Sequence, residues 1–170
     1  MRYVIFQTQF GFFGISGNEN GVLRTSLPAA DPETAKKHLL AGLTGLKSDP
    51  KLFPDLQKQV KLYFSGTYVE FDDKIPLLID HLSKFSRDIL RACMKIPYGS
   101  TVSYGKLAKM ANHPNAARAV GNAMAKNPIP LIIPCHRVIK SNGSTGGFQQ
   151  NRPGGPDLKI KMLKLEKDAK

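Results

Sequence analysis

Cys135 and His136 are neighbours in the run Asn127-Pro128-Ile129-Pro130-Leu131-Ile132-Ile133-Pro134-Cys135-His136-Arg137-Val138-Ile139. A thiol beside an imidazole and a guanidinium carries the groups needed for a nucleophile. The thiolate, not the thiol, attacks, so such a cysteine needs a base for its proton or cations for its charge. Pro128, Pro130 and Pro134 bracket the apolar stretch before it. Proline fixes φ and removes a donor, which predicts an extended segment, neither helix nor central strand, that presents Cys135 rigidly. Adjacent side chains of an extended chain point to opposite faces, so His136 is expected to reach the thiol through a water. A cysteine hydrolase built on the same pair is a competing reading, weakened because hydrolase partners are rarely adjacent in sequence.

The remaining candidates for chemistry are few. Cys93 recurs with Phe85, Ile89 and Leu90 at three- and four-residue steps and reads as a small core hydrophobe. Two cysteines make no disulfide framework, and there is no CxxC or paired Cys/His spacing, so neither a metal nor another cofactor is expected. His38 is expected on the side of a helix rather than as a ligand. No apolar run approaches the roughly 20 residues of a membrane span. The opening Met1-Arg2-Tyr3-Val4-Ile5-Phe6-Gln7 turns polar too early for a secretory signal. A reducing compartment and no membrane partner are expected.

Charge is segregated along the 170 residues. Residues 1–80 hold nine basic and nine acidic side chains, whereas residues 81–170 hold sixteen and four, so the whole net charge of +12 lies in the second half. A one-signed surface suits a polyanion, because neutralising phosphates releases counterions. The texture changes near residues 75–83 as well, which predicts an N-terminal α/β scaffold domain, 1–80, and a mostly helical C-terminal domain, 81–170.

In the first part, Tyr3–Thr8, Gly11–Gly14 and Val22–Leu27 read as a β-hairpin or meander. Asp31-Pro32-Glu33 caps a helix expected over Ala35–Leu46. A second helix is expected at Leu56–Phe64 and a strand at Val69–Phe71. In the second part a helix runs on from Ser83, and Ile96-Pro97-Tyr98-Gly99 stops it. Helices over Ser103–Ala111 and Asn115–Ala125 flank a turn at Asn112-His113-Pro114, the pattern of a helix-turn-helix. The second of these is slim, with Ala116, Ala117, Ala119, Gly121 and Ala123, and Arg118 is its one long cation before Lys126. Small residues suit tight helix packing, and they also suit entry into a narrow groove. A non-reactive helix-turn-helix DNA- or lesion-binding module is the alternative if Cys135 is inert.

The string Pro134-Cys135-His136-Arg137-Val138, with Asn127-Pro128-Ile129-Pro130 and Ala116-Ala117-Arg118-Ala119-Val120-Gly121 before it, closely resembles the O6-alkylguanine-DNA alkyltransferases, the methylated-DNA–protein-cysteine methyltransferases. The resemblance spans Ile96 to about Phe148 almost without a gap, with a weaker echo to Glu166. It implies a repair protein that flips O6-alkylguanine, chiefly O6-methylguanine, out of double-stranded DNA and moves the alkyl group irreversibly onto Cys135, once per molecule. The fold implied is a mixed α/β one, a ribonuclease-H-like first domain followed by a helical, winged-helix-like second domain. His136 is then the water-mediated base, Glu166 the carboxylate orienting it, and Asn127 a support of the active-site turn. Arg118 fills the space of the flipped base, Tyr104 crowds the target phosphate, and Asn115, Ala117 and Ala119 accompany them at the minor groove. Met124, Pro130, Val138, Ser141, Gly146, Gly147, Phe148 and Gln149 line the alkylguanine pocket. The resemblance further implies a monomer acting in the cytoplasm, or in the nucleus of a eukaryote. The loop Gln149–Asp157 is longer than the family's usual connection. Gln149 stands where the family often has a small hydroxyl, and the zinc-binding Cys/His set of some members is missing.

Overall fold

The structure, a computed structural model, describes residues 1–71, 75–148 and 154–169. The chain divides into two compact units: residues 1–79 with 128–130, and residues 80–127 with 131–169.

The first unit is built on a four-stranded sheet. Strands β1 (Arg2–Thr8), β2 (Gly11–Asn18) and β3 (Gly21–Ala29) form an antiparallel meander, and the short β4 (Lys47–Ser48) pairs parallel to β1. The order is β3-β2-β1-β4. Strand β1 alternates, burying Val4, Phe6 and Thr8, as a strand with one covered face should. Strand β2 is buried continuously from Phe13 to Gly17, because it is central and covered on both faces. Helix α1 (Pro32–Leu40) starts where Asp31 accepts the Thr34 backbone N–H at 2.8 Å, with Pro32 in its first turn. Helix α2 (Pro54–Phe64) turns Leu56, Val60, Tyr63 and Phe64 inward, and Phe64 lies 6.0 Å from Phe13, centroid to centroid. Residues 128–130 complete this unit: Thr25 donates its N–H to the Pro128 carbonyl (3.0 Å) and its hydroxyl to that of Pro130 (2.7 Å).

Two expectations are corrected here. The first helix ends at Leu40 rather than Leu46, because Ala41 leaves helical geometry and Gly42 follows at φ +73°. Residues 69–71 form no strand. The free edge of β3 is met instead by Pro76–Leu78, through Val22 N–H to the Pro76 carbonyl and Leu78 N–H to the Val22 carbonyl, both 2.8 Å. Val69 is buried by its side chain alone.

The second unit is helical. Helix α3 (Lys84–Met94) is capped by Ser83, and α4 (Tyr104–Met110) by Ser103, each accepting a backbone N–H two or three residues into the helix. Helix α5 (Ala117–Ala125) follows the turn, and α6 (Gly155–Asp168) ends the chain. A two-residue parallel pair, β5 (Val102–Ser103) with β6 (Val138–Ile139), ties the start of α4 to the segment after the reactive cysteine. Ile89, Leu90, Cys93, Ile96, Leu107, Val120, Ile133, Val138 and Met162 form the core. No described helix is long and apolar enough to cross a membrane.

The sheet of the first unit has little spare room at Gly14. A Cβ built there would lie 2.6 Å from the Ser26 hydroxyl, 2.8 Å from Ile5 and 3.0 Å from Leu39 of α1. Gly14→Val is therefore expected to destabilise the protein by about 1–3 kcal/mol through overpacking, read as a lower urea midpoint at unchanged slope.

Candidate active site

Leu131, at φ +80°, bends the chain out of the proline-rich stretch. Pro134 then adopts φ −79°, ψ 61°, an inverse γ-turn, closed by Cys135 N–H to the Ile133 carbonyl at 2.8 Å. Cys135–Arg137 continue as a single 3-10 turn, with Arg137 N–H bonded to the Pro134 carbonyl at 2.9 Å. The expected extended segment is therefore broken before the cysteine, by bends at residues 128–129 and a turn at 131–132. A tight turn satisfies the backbone of a fully buried stretch that has no neighbouring strand at that point.

Below this turn lies a buried carboxylate. Glu166, on α6, receives His136 Nε2 at Oε1 (2.6 Å) and the Arg137 guanidinium through Nε (3.0 Å to Oε2) and Nη2 (2.9 Å to Oε1). The Gly99 N–H donates to Oε2 at 3.0 Å, from a residue whose φ of +70° favours glycine. Arg137 also donates to the Ile96 carbonyl at 2.7 Å and lies 5.4 Å above the Tyr98 ring. His136 and Glu166 have no exposed side-chain surface.

The electrostatics follow from these contacts. Burial alone would raise the Glu166 pKa, but the His136 and Arg137 partners overcome it and hold the carboxyl down to about 2. Burial lowers the pKa of His136 more than Glu166 raises it, so the imidazole is neutral at rest. Facing an ionised carboxylate, Nε2 carries the hydrogen and Nδ1 is the basic nitrogen. Burial raises the Cys135 thiol above its ordinary range, against a hydrogen bond from Asn127 and the charge of Lys159. Cys135 is a thiol at rest and needs a base. Asn127 also donates Nδ2–H to the Ile133 carbonyl at 3.0 Å, so one amide braces both the γ-turn and the sulfur.

Lys159 was not foreseen. It is wholly buried on α6, donates to the Val138 carbonyl at 2.6 Å and lies 5.6 Å over the Phe148 ring. Burial lowers its pKa to about 8, opposed by the nearby Cys135 and Cys93. A helical wheel anchored on Met162 and Glu166 would have found it, since Gly155, Lys159, Met162 and Glu166 share the inward face. Tyr104, in the first turn of α4, is half-buried. Burial and Cys135 both raise its pKa, which keeps the phenol protonated. Its hydroxyl lies 3.2 Å from where a Gly146 Cβ would be, and Gly146 has φ +69°.

Among the other expected residues, Val138 and Phe148 are buried around Lys159, and Met124 is buried on the inner face of α5. Gly147 and Ser141 are exposed. Pro130 is counted with the first unit, and Gln149 lies outside the described residues. Arg118 and Ala119 are exposed and Ala117 half-exposed on α5. Asn115 precedes α5 at φ +69° rather than lying within it, a left-handed position that asparagine tolerates. Among the described residues no group of three or more His, Cys, Asp or Glu could hold a metal.

The family model described as the DNA binding domain of 6-O-methylguanine DNA methyltransferase matches residues 84–168. The methylated-DNA–protein-cysteine methyltransferase of Methanosarcina acetivorans is 34% identical over 98% of each chain. That of Cricetulus griseus is 35% identical, over 98% of this chain and 82% of its own. Among solved structures, Mycobacterium tuberculosis OGT in complex with DNA matches with a TM-score of 0.79 at 31% identity, covering 98% of this chain and 93% of that one. The O6-methylguanine-DNA methyltransferase of Pyrococcus kodakaraensis matches at 0.76 and 26%, covering 96% and 98%. A buried Cys-His-Glu arrangement behind a helix-turn-helix, with identity along nearly the whole chain, has one reading: this chain belongs to the methylated-DNA–protein-cysteine methyltransferase family.

Proposed function

We propose that this protein repairs double-stranded DNA by taking the alkyl group of an O6-alkylguanine, chiefly O6-methylguanine, onto the Cys135 sulfur, once and irreversibly. The observation that carries the reading is the buried Glu166 carboxylate, which fixes His136 as a neutral base beside a thiol that burial keeps protonated.

The chemistry runs as a displacement. Helix α5 enters the minor groove with the exposed face on which Arg118 stands between Ala117 and Ala119, and Arg118 takes the room vacated by the target base. Extrusion costs a few kcal/mol, which contacts between the basic half and phosphates offset. Nδ1 of His136 takes the thiol proton through a water, and Glu166 stabilises the imidazolium that forms. Lys159 and the Asn127 amide stabilise the thiolate. The sulfur attacks the alkyl carbon; the S–C bond forms as the C–O6 bond breaks, and the electron pair leaves on the guanine. The Tyr104 hydroxyl donates to that departing charge. Val138, Met124, Phe148 and Gly147 bound the pocket for the base. No further group is consumed and none regenerates the thiol. The reaction takes place wherever the chromosome lies, the cytoplasm or a eukaryotic nucleus.

Incubation with a duplex carrying O6-methylguanine is expected to add one methyl to the Cys135 peptide, saturating at one per molecule, with no gain in Cys135→Ser. Tight binding of the wild-type protein without a mass change would overturn the reading in favour of a lesion-binding module.

The buried carboxylate also couples stability to pH. Its folded pKa of about 2 lies below the unfolded value near about 4.3. The contribution, on the order of 3 kcal/mol, is therefore complete above pH 5 and lost as pH falls towards 2. Glu166→Gln should be about 3 kcal/mol less stable at pH 7, with the gap closing in acid melts, and should transfer methyl at least roughly tenfold more slowly.

Lys159 acts in the opposite sense. Its folded pKa of about 8 is depressed from 10.5, so burying the charged amine costs stability throughout the range below pH 8, and the cost is relieved as pH rises from 8 to 10.5. Lys159→Met is expected to melt no lower than wild type at pH 7 while transferring more slowly, with the rate deficit widest at low pH. A variant with the wild-type rate at every pH would remove Lys159 from the chemistry.

A further inference from the structure

The turn between α4 and α5 is held by a side chain that the alkyl-transfer site does not use. His113 Nε2 lies 3.1 Å from Asp88 Oδ2 of α3, and its ring stands edge-on to Phe85 at 4.9 Å between centroids. Its own N–H bonds back to the Ala108 carbonyl at 2.9 Å, closing the end of α4. Asn112 and Asn115, at φ +60° and +69°, bracket it.

Helix α5 needs such an anchor. Its N-cap is Ala116, which offers no side-chain acceptor to the first-turn N–H groups, so no capping side chain fixes how it leaves the turn. His113 links the turn to α3. The recess around it, about 300 Å³, is otherwise cationic, with Lys84, Arg91 and Lys95 from α3; on the side of α4 and the turn it is lined by Met110, Ala111 and Asn112. Lys84 bridges to the same Asp88 carboxylate at 2.8 Å. The carboxylate that holds His113 is thus also the one that pairs with Lys84.

We propose that His113 is a positioning residue for DNA binding: gripped by Asp88 and Phe85, it fixes the angle at which α5 is offered to the duplex. The proposal rests on α5 being the element that enters DNA.

The test is duplex binding by fluorescence anisotropy, on the full chain and on Asp88→Ala and His113→Phe, with the methyl-transfer rate at saturating protein measured alongside. Asp88→Ala removes a negative charge, so bulk electrostatics predicts tighter binding. Positioning predicts the reverse, about threefold weaker binding. His113→Phe keeps a ring beside Phe85 and loses the hydrogen bond to Asp88, and should also bind more weakly. The saturated transfer rate should be unchanged in both, and it reports correct folding at the same time. Asp88→Ala binding as tightly as wild type or more so, His113→Phe keeping the wild-type affinity, or a fall in the saturated rate would each overturn the proposal. Absence of transfer from the wild-type protein would instead overturn the repair reading and leave the binding comparison intact.

Discussion

A single carboxylate in the interior holds the reactive part of this molecule together. Glu166 gathers an imidazole, a guanidinium and a backbone N–H from three places in the chain, residues 136, 137 and 99. An unpaired charge at that depth would be prohibitive, and an ion pair there survives only when its remaining lone pairs are satisfied. That requirement runs outward. Arg137 must supply the compensating charge, Ile96 must accept its remaining N–H, and Gly99 must adopt a left-handed backbone so that its N–H reaches the second oxygen. The 3-10 turn at Cys135 is the geometry in which consecutive side chains, His136 and Arg137, both reach one acceptor, which an extended chain would send to opposite faces.

Much of this was legible beforehand, because local chemistry determines it. Asp31, Ser83 and Ser103 each announce a helix start through a side chain that can accept its first N–H groups, and the structure begins α1, α3 and α4 there. The alternating apolar residues of β1 and the inward stripe of α3 are periodicities set by a buried face. What escaped notice depends on partners distant in sequence. The turn at Cys135 is dictated by a glutamate some thirty residues on. The β5–β6 pair is two residues long and carries no alternation. Val69–Phe71 has strand-like residues, but the segment that meets the free edge of β3 is Pro76–Leu78. Lys159 hid because lysine on a helix reads as solvent-facing, until Glu166 is known to point inward and fixes which face is which.

The two working surfaces of the second unit are held in different ways. The reactive turn is clamped by several buried, charge-assisted contacts, and each is strong because water is excluded. Helix α5 is slim and lacks a capping side chain; it packs through Val120, Ala123 and Met124, while the contact of His113 with Asp88 beside it is partly exposed. Such contacts contribute little individually. The contrast suits a protein whose chemistry needs fixed geometry while its DNA contacts are read mainly through shape and backbone.

The return of residues 128–130 to the first unit bears on how the chain is born. Thr25 sits in β3, yet the carbonyls it satisfies belong to Pro128 and Pro130. On the ribosome, the N-terminal sheet emerges with every strand made but with Thr25 without these partners until residues 128–130 have been synthesised. The N-terminal unit therefore completes its hydrogen bonding only when that stretch has emerged. Its closure waits for the same stretch of nascent chain that leads into the reactive cysteine, so completion of the scaffold and delivery of the nucleophile fall together in time.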